Sequence, residues 1–189
     1  MKIYIAFIRG INVGGKNIIK MADLRKALEQ TGLQRVQTYI QSGNVLFASA
    51  EDEDQLRKKI EDTINAAFHI PAAVMLRTAD ELRTSFANCP FSESEIAEAE
   101  SLSDAESLYI AFMPDEPSSA SLAKLEAYRT DNDQFRVQGR ELVLLYRHSV
   151  LKSKLANNLT KLDVPVTVRN WRTLTKLVAL ANAMEEPEK

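Results

Sequence analysis

The sequence predicts an α+β protein made of two tandem copies of one β-α-β-β-α-β unit. Three observations carry this expectation. The run Ile3-Tyr4-Ile5-Ala6-Phe7-Ile8 returns as Leu108-Tyr109-Ile110-Ala111-Phe112-Met113, with Tyr, Ile, Ala and Phe identical in register. Each run is followed by the same succession of helical and strand-like periodicities. The composition is globular, with 189 residues of which 45% are hydrophobic and 26% charged, which excludes a disordered chain.

The elements follow in order. Residues 3–8 are short, apolar and rich in β-formers, so they read as a central strand. A helix is predicted over about 20–31, with Met21, Leu24, Ala27 and Leu28 on its apolar face and Gly32 ending it. Val36 to Gln41 forms a strand, Ser42-Gly43-Asn44 a tight turn, and Val45-Leu46-Phe47 its hairpin partner. A helix over about 52–67 starts at an Asp52/Gln55 capping pattern and buries Leu56, Ile60, Ile64 and Ala67. The strand Ala72 to Arg77 closes the unit, and a further helix, Thr78 to Asn88, opens with the capping pattern Thr78-x-x-Glu81. The second unit repeats the order: strand 107–113, helix 118–129, hairpin 134–137 and 142–146, helix 150–162, strand 165–169 and a last helix from Asn170 to Met184. In the helix over 150–162, Leu151, Leu155, Leu159 and Leu162 are expected on one inward side.

Two such units imply tandem ferredoxin-like subdomains with antiparallel sheets. The expected boundaries are 1–88 for the first, 89–106 for an acidic Ser/Glu-rich connector and 107–189 for the second. The single cysteine, Cys89, forbids an internal disulfide and any cysteine-built zinc cage. The N-terminal apolar run is too short for a secretory signal, and no run approaches the roughly 20 apolar residues of a membrane span. The expected location is therefore the cytoplasm.

The net charge of −2 conceals a strong pattern. Residues 1–48 hold seven bases and two acids, residues 80–116 one base and ten acids, and residues 136–176 nine bases and two acids. Near-neutrality is thus a cancellation between two basic blocks and one acidic block, which reads either as ordinary solvated faces or as a basic surface built jointly by the N-terminal and C-terminal thirds.

In a duplicated fold the shared features are scaffold, and the differences are candidates for function. After strand 107–113 comes only Pro114-Asp115-Glu116-Pro117, whereas strand 3–8 leads into Arg9-Gly10-Ile11-Asn12-Val13-Gly14-Gly15-Lys16-Asn17. Half of the six glycines lie there. Glycines at positive φ let consecutive backbone N–H groups converge on an anion, and Arg9 and Lys16 would add charge. The candidate ligand-binding set in this loop is Arg9, Asn12, Gly14, Gly15, Lys16 and Asn17. A plain tight connection is the alternative. The spacing Gly10-x-x-x-x-Gly15-Lys16 matches a P-loop, but Asn17 replaces the Mg²⁺-binding hydroxyl and the predicted sheet is antiparallel, so a nucleoside triphosphatase is not expected.

A second cluster is Gln41, Ser42 and Asn44, three amide or hydroxyl groups at one hairpin tip, suited to the hydrogen-bonding edges of a polar ligand. A third is Arg169-Asn170-Trp171-Arg172, where Arg169 and Asn170 would assist at the N-terminus of the last helix. Asn170 also makes a good N-cap, and Trp171 reads as core.

These three blocks, Arg9 to Asn17, Tyr39-Ile40-Gln41-Ser42-Gly43-Asn44-Val45 and Arg169-Asn170-Trp171, resemble the hallmarks of the bacterial family called domain of unknown function 1697. The resemblance runs from residue 1 to about 182. In that family the last block usually continues Asn-Trp-Asn-Thr, and here Arg172 stands where Asn is usual. The resemblance implies two ferredoxin-like subdomains and brings no activity, substrate or catalytic residue.

Catalytic groups are scarce. Neither His69 nor His148 has a partner at metal-ligand or acid–base spacing, so no metal and no cofactor is implied. The expected partner is an anionic small molecule or nucleotide bound at the glycine-rich loop. Nucleic acid fits less well, because single-strand readers stack bases on exposed aromatics and only 7% of residues are aromatic. A metal-independent enzyme acting on a phosphorylated small molecule and a non-catalytic protein-interaction module remain open alternatives, as does the oligomeric state.

Overall fold

The computed structural model describes residues 1–186. The chain forms two compact units, one comprising Met1–Phe86 together with the segment from Thr175 onward, the other Ala87–Leu174.

Unit 1 contains β1 (Lys2–Ile8), α1 (Met21–Glu29), β2 (Gln34–Tyr39), β3 (Asn44–Ser49), α2 (Glu53–Phe68), β4 (Val74–Thr78) and α3 (Ala79–Ala87), the last of which runs one residue past the unit boundary. Its sheet has the order β2-β3-β1-β4 with every neighbouring pair antiparallel, the ferredoxin-like arrangement. Strand alternation places Tyr4, Ala6 and Ile8 on the helix-covered face, where they pack with Leu24, Leu28, Leu56, Ile60 and Ile64 in one buried cluster. The predicted caps form: Asp52 Oδ1 accepts from Gln55 N at 3.0 Å, and Thr78 and Glu81 exchange reciprocal backbone bonds of 2.8 and 3.2 Å.

Unit 2 contains α4 (Glu93–Ser101), β5 (Leu108–Phe112), α5 (Ser119–Glu126), β6 (Asp133–Gln138), β7 (Glu141–Tyr146), a short α6 (Lys154–Asn157) and β8 (Thr167–Asn170), then leads into α7 (Trp171–Glu185). The sheet order β6-β7-β5-β8 repeats that of unit 1 strand for strand. Ala111, Met113, Leu125, Phe135, Leu142, Leu144 and Leu155 form the core beneath its helices.

Three sequence expectations change. The stretch 89–106, expected as a connector, carries packed structure of its own. Its middle is α4, closed by a full Ser92/Glu95 capping box, and Phe91, Ile96 and Ala99 pack with Leu108, Val143, Leu145 and Trp171. The last helix does not fall wholly within the second unit, because its length from Thr175 onward belongs to unit 1. The helix predicted over 150–162 is broken into a 3₁₀ turn at Val150–Lys152, the four-residue α6 and a second 3₁₀ turn at Leu159–Lys161. Ser153 restarts the chain there: its hydroxyl accepts from Ala156 N at 3.0 Å and donates to Asp133 at 2.7 Å. Serine bonding to nearby backbone competes with helix continuation. In consequence Leu151 is 86% exposed, while Leu155, Leu159 and Leu162 are buried.

Candidate functional site

β1 and β2 each run antiparallel to β3, so both leave the sheet at the same end. The loop after β1 and the turn after β2 therefore meet, and β4 enters beside them, with Arg9 N donating to Ala73 O at 2.9 Å. This places the two distinctive sequence blocks of the first unit together.

The glycine-rich loop is a small hairpin of its own. Lys16 N donates to Val13 O and Asn12 N to Asn17 O, both at 3.0 Å, around Gly14 (φ 57°) and Gly15 (φ 73°). Positive φ at both central residues is the signature of a two-residue I′ turn, which glycine pairs favour. The glycines expected to cradle an anion thus serve the turn, and the N–H groups of Asn12 and Lys16 are bonded inside it. Ile11 and Ile19, both buried, anchor the two ends of the hairpin in the core.

Asn12 joins the loops. Its amide nitrogen donates to Ile19 O at 3.0 Å and to Gln41 O at 2.9 Å, while its oxygen accepts from Ile19 N at 2.8 Å. Asn17 holds the near side, its amide donating to Gly10 O at 2.8 Å. The contact is completed by Ile8 N donating to Gly43 O at 2.8 Å. Gly43 sits at φ 79°, and a Cβ there would lie 2.9 Å from Ile8 O and 3.0 Å from the Ile11 side chain, so only glycine allows this approach.

The nine candidate residues of unit 1 accordingly divide by role. Asn12 and Asn17 are clamps, and Gly14 and Gly15 make a turn. Asn44, expected to face a ligand, is fully buried at the start of β3, with its amide donating to Tyr39 O at 3.1 Å and Ser42 Oγ at 2.9 Å. The exposed chemistry belongs to Arg9, Lys16 and Gln41, with the hydroxyl of half-buried Ser42 beside them. Lys20, exposed just before α1, joins this group. It stands outside the glycine pattern, and its place beside the loop follows from the Asn12 bonds to Ile19, which the sequence does not signal. Among the described residues Arg9, Lys16 and Lys20 form no ion pair, and the chain carries no acid from residue 1 to 22 or from 30 to 50.

The remaining two candidates lie in unit 2. Arg169 is only 8% exposed, and its guanidinium donates to Thr167 Oγ1 and Val168 O, both at 2.9 Å. Burial pushes its pKa down to about 10. The duplication explains this arginine. Arg169 pairs with Ile110 as Arg77 pairs with Ile5, and Arg77 likewise donates to the carbonyl before it, Leu76 O, at 2.6 Å. Asn170 Oδ1 accepts from Thr173 N at 2.9 Å and caps α7.

The charge blocks also resolve in space. Within unit 2, Arg136 pairs with Glu95 at 2.6 Å, Arg147 with Glu98 at 3.0 Å and Arg172 with Glu106 at 2.9 Å. The acidic block and the C-terminal basic block partly neutralise each other there. Among the described residues no group of three or more His, Cys, Asp or Glu could hold a metal ion, and no helix is long and apolar enough to cross a membrane.

Comparison with known proteins places this architecture. No curated protein matches the chain. A solved structure of a conserved bacterial protein from Streptococcus pneumoniae is similar, with a TM-score of 0.69 and 23% identity over 95% of this chain and 98% of the other. That likeness establishes the tandem ferredoxin-like fold. A family model described as a protein of unknown function, DUF1697, matches residues 1–143, a span that contains both clamped loops, and the chain belongs to that family.

Proposed function

We propose that unit 1 binds a phosphate-bearing ligand at the sheet end where the two loops meet. The observation that carries this reading is the Asn12 clamp. It fixes two loops of distinctive sequence against each other and leaves Arg9, Lys16 and Lys20 exposed and without ion-pair partners around them. Exposed cations without ion-pair partners, carried on loops that are bonded to one another, favour an anion. Arg9 supplies a planar fork suited to phosphate oxygens and the lysines supply point charges. Gln41 and Ser42 stand where a polar remainder would be contacted. Arg169 and Asn170 bond within unit 2 and are not needed for this site.

Calorimetry and thermal shift with inorganic phosphate, nucleotides and phosphorylated sugars test the reading. Lys16→Ala and Arg9→Ala should each weaken binding by about tenfold, as expected for one charge-assisted hydrogen bond. Affinity should also fall as salt rises. Absence of binding by every phosphorylated probe, or binding that neither substitution nor salt alters, would count against it.

A further inference from the structure

Ile40 carries an anomaly. Its φ is 51°, and the residue is 49% exposed. A β-branched residue in the left-handed region is a true conformational outlier, disfavoured relative to glycine or asparagine. Burial could offset such strain, but Ile40 is exposed. The fold therefore gains little from isoleucine at this position, and residues held in sparsely populated conformations gather at functional sites.

Ile40 has company. Val13 is 64% exposed and Ile18 66%. Scattered exposed apolar residues need no explanation. These three, however, are each one residue away from a segment that the Asn12 side chain joins. Val13 follows Asn12 itself, Ile18 precedes the bonded Ile19, and Ile40 precedes Gln41, whose carbonyl accepts from Asn12. The cations lie on the same loops, held by neighbouring bonds. Lys16 bridges back to Val13, Lys20 follows Ile19, and Arg9 precedes Gly10, whose carbonyl accepts from Asn17. The loops at one sheet end thus carry three exposed aliphatic residues and three exposed cations.

We infer that the ligand of this site is a phosphate ester whose phosphate is bonded to an apolar or planar body, and that Ile40, with Val13 and Ile18, receives that body. The inference rests on the phosphate-binding reading above. Inorganic phosphate would satisfy the cations and leave the aliphatic groups in water, whereas an ester covers both. A nucleotide and a phospholipid headgroup share this chemistry, and the probes separate them.

The test uses the full chain with inorganic phosphate, adenosine monophosphate, and phosphatidylcholine vesicles with or without phosphatidylglycerol. Wild-type protein should bind the nucleotide or the phosphatidylglycerol vesicles at least about tenfold more tightly than inorganic phosphate, the order of effect expected from burying one aliphatic side chain. Ile40→Gly and Ile40→Asn should both abolish that advantage, leave inorganic phosphate binding unchanged and keep or raise the melting temperature. Val13→Ser with Ile18→Ser should reduce the advantage in part. A gain for the nucleotide alone or for the vesicles alone supports the inference and names the source. The inference is overturned if inorganic phosphate binds as tightly as the esters, or if both Ile40 variants bind the esters as wild type does. Loss of all binding, esters and phosphate alike, would instead remove the phosphate reading on which it stands.

Discussion

Asn12 holds three chain segments with one side chain, and its backbone sits at φ 54°, a conformation that asparagine tolerates better than most residues. Its replacement should therefore act through two separable effects. Asn12→Ala leaves the N–H of buried Ile19 and the Ile19 and Gln41 carbonyls without this partner and also strains the backbone. Asn12→Gly removes the same hydrogen bonds and relieves the strain. Urea denaturation should show a loss of about 1–3 kcal/mol for the alanine variant, with the glycine variant less affected. Both should weaken binding at the loops. At this scale the sequence was legible in kind and not in role. It marked Asn12, Asn17 and Asn44 as unusual, yet an amide in a loop serves a ligand or a distant carbonyl equally well. The carbonyl that Asn12 meets on Gln41 lies 29 residues along the chain. The exposed Ile40 went unmarked because its sequence neighbours look like a strand, and only the backbone angle makes it unusual.

Strands and hairpins were the most legible elements, because the duplication shows the same pattern twice and a β period flips completely with a one-residue slip. The repeat also provides a controlled comparison of its two hairpin glycines. A Cβ on Gly43 would press on Ile8 O and Ile11, whereas on Gly139, at φ 55°, it would meet only Glu116 Oε1 at 3.5 Å. Gly139→Ala should cost about 1–2 kcal/mol from backbone strain alone. Gly43→Ala should cost more, by about 1–3 kcal/mol of overpacking, and should push the two loops of unit 1 apart. Parallel urea titrations of the two variants check this, and equal losses would show that the close approach at Gly43 is unimportant. The segment 150–162 was illegible for a complementary reason. Its leucines keep a helical period, but Ser153 offers the backbone a competing bond that periodicity does not register.

At the scale of the whole molecule, the charge pattern was legible along the chain and misleading in space. The basic 136–176 block supplies arginines to Glu95, Glu98 and Glu106, so two of the three blocks partly answer one another inside unit 2, while Arg9, Lys16 and Lys20 of the first block form no ion pair among the described residues. These arrangements have a pH signature. Hydrogen bonds from Arg136 and Ser92 hold the Glu95 carboxyl at about 2, below its ordinary 4.5, and Ser118 and Ser121 hold Asp163 at about 2, below 3.8. A carboxyl whose folded pKa is depressed stabilises the fold above its unfolded pKa and ceases to do so as pH falls through the folded one. The stability of unit 2 should therefore decline between about pH 4.5 and 2. Glu95→Gln combined with Asp163→Asn should flatten that decline in urea titrations taken at successive pH values, and an unchanged slope would refute the assignment.

The extent of each unit was the least legible feature, since an amphipathic helix announces that one face is covered without saying by what. The Arg35 guanidinium donates to Met184 O at 2.5 Å, and Arg83 pairs with Glu185 at 2.7 Å, so the end of α7 is built into unit 1. This bears on synthesis. A ribosome delivers the first strands of unit 1 earliest and its closing helix last, with all of unit 2 in between. Unit 2 has its full complement of residues first, and unit 1 must wait, incomplete, for the final stretch to emerge. Vectorial translation and structural completion therefore run in opposite orders in this chain.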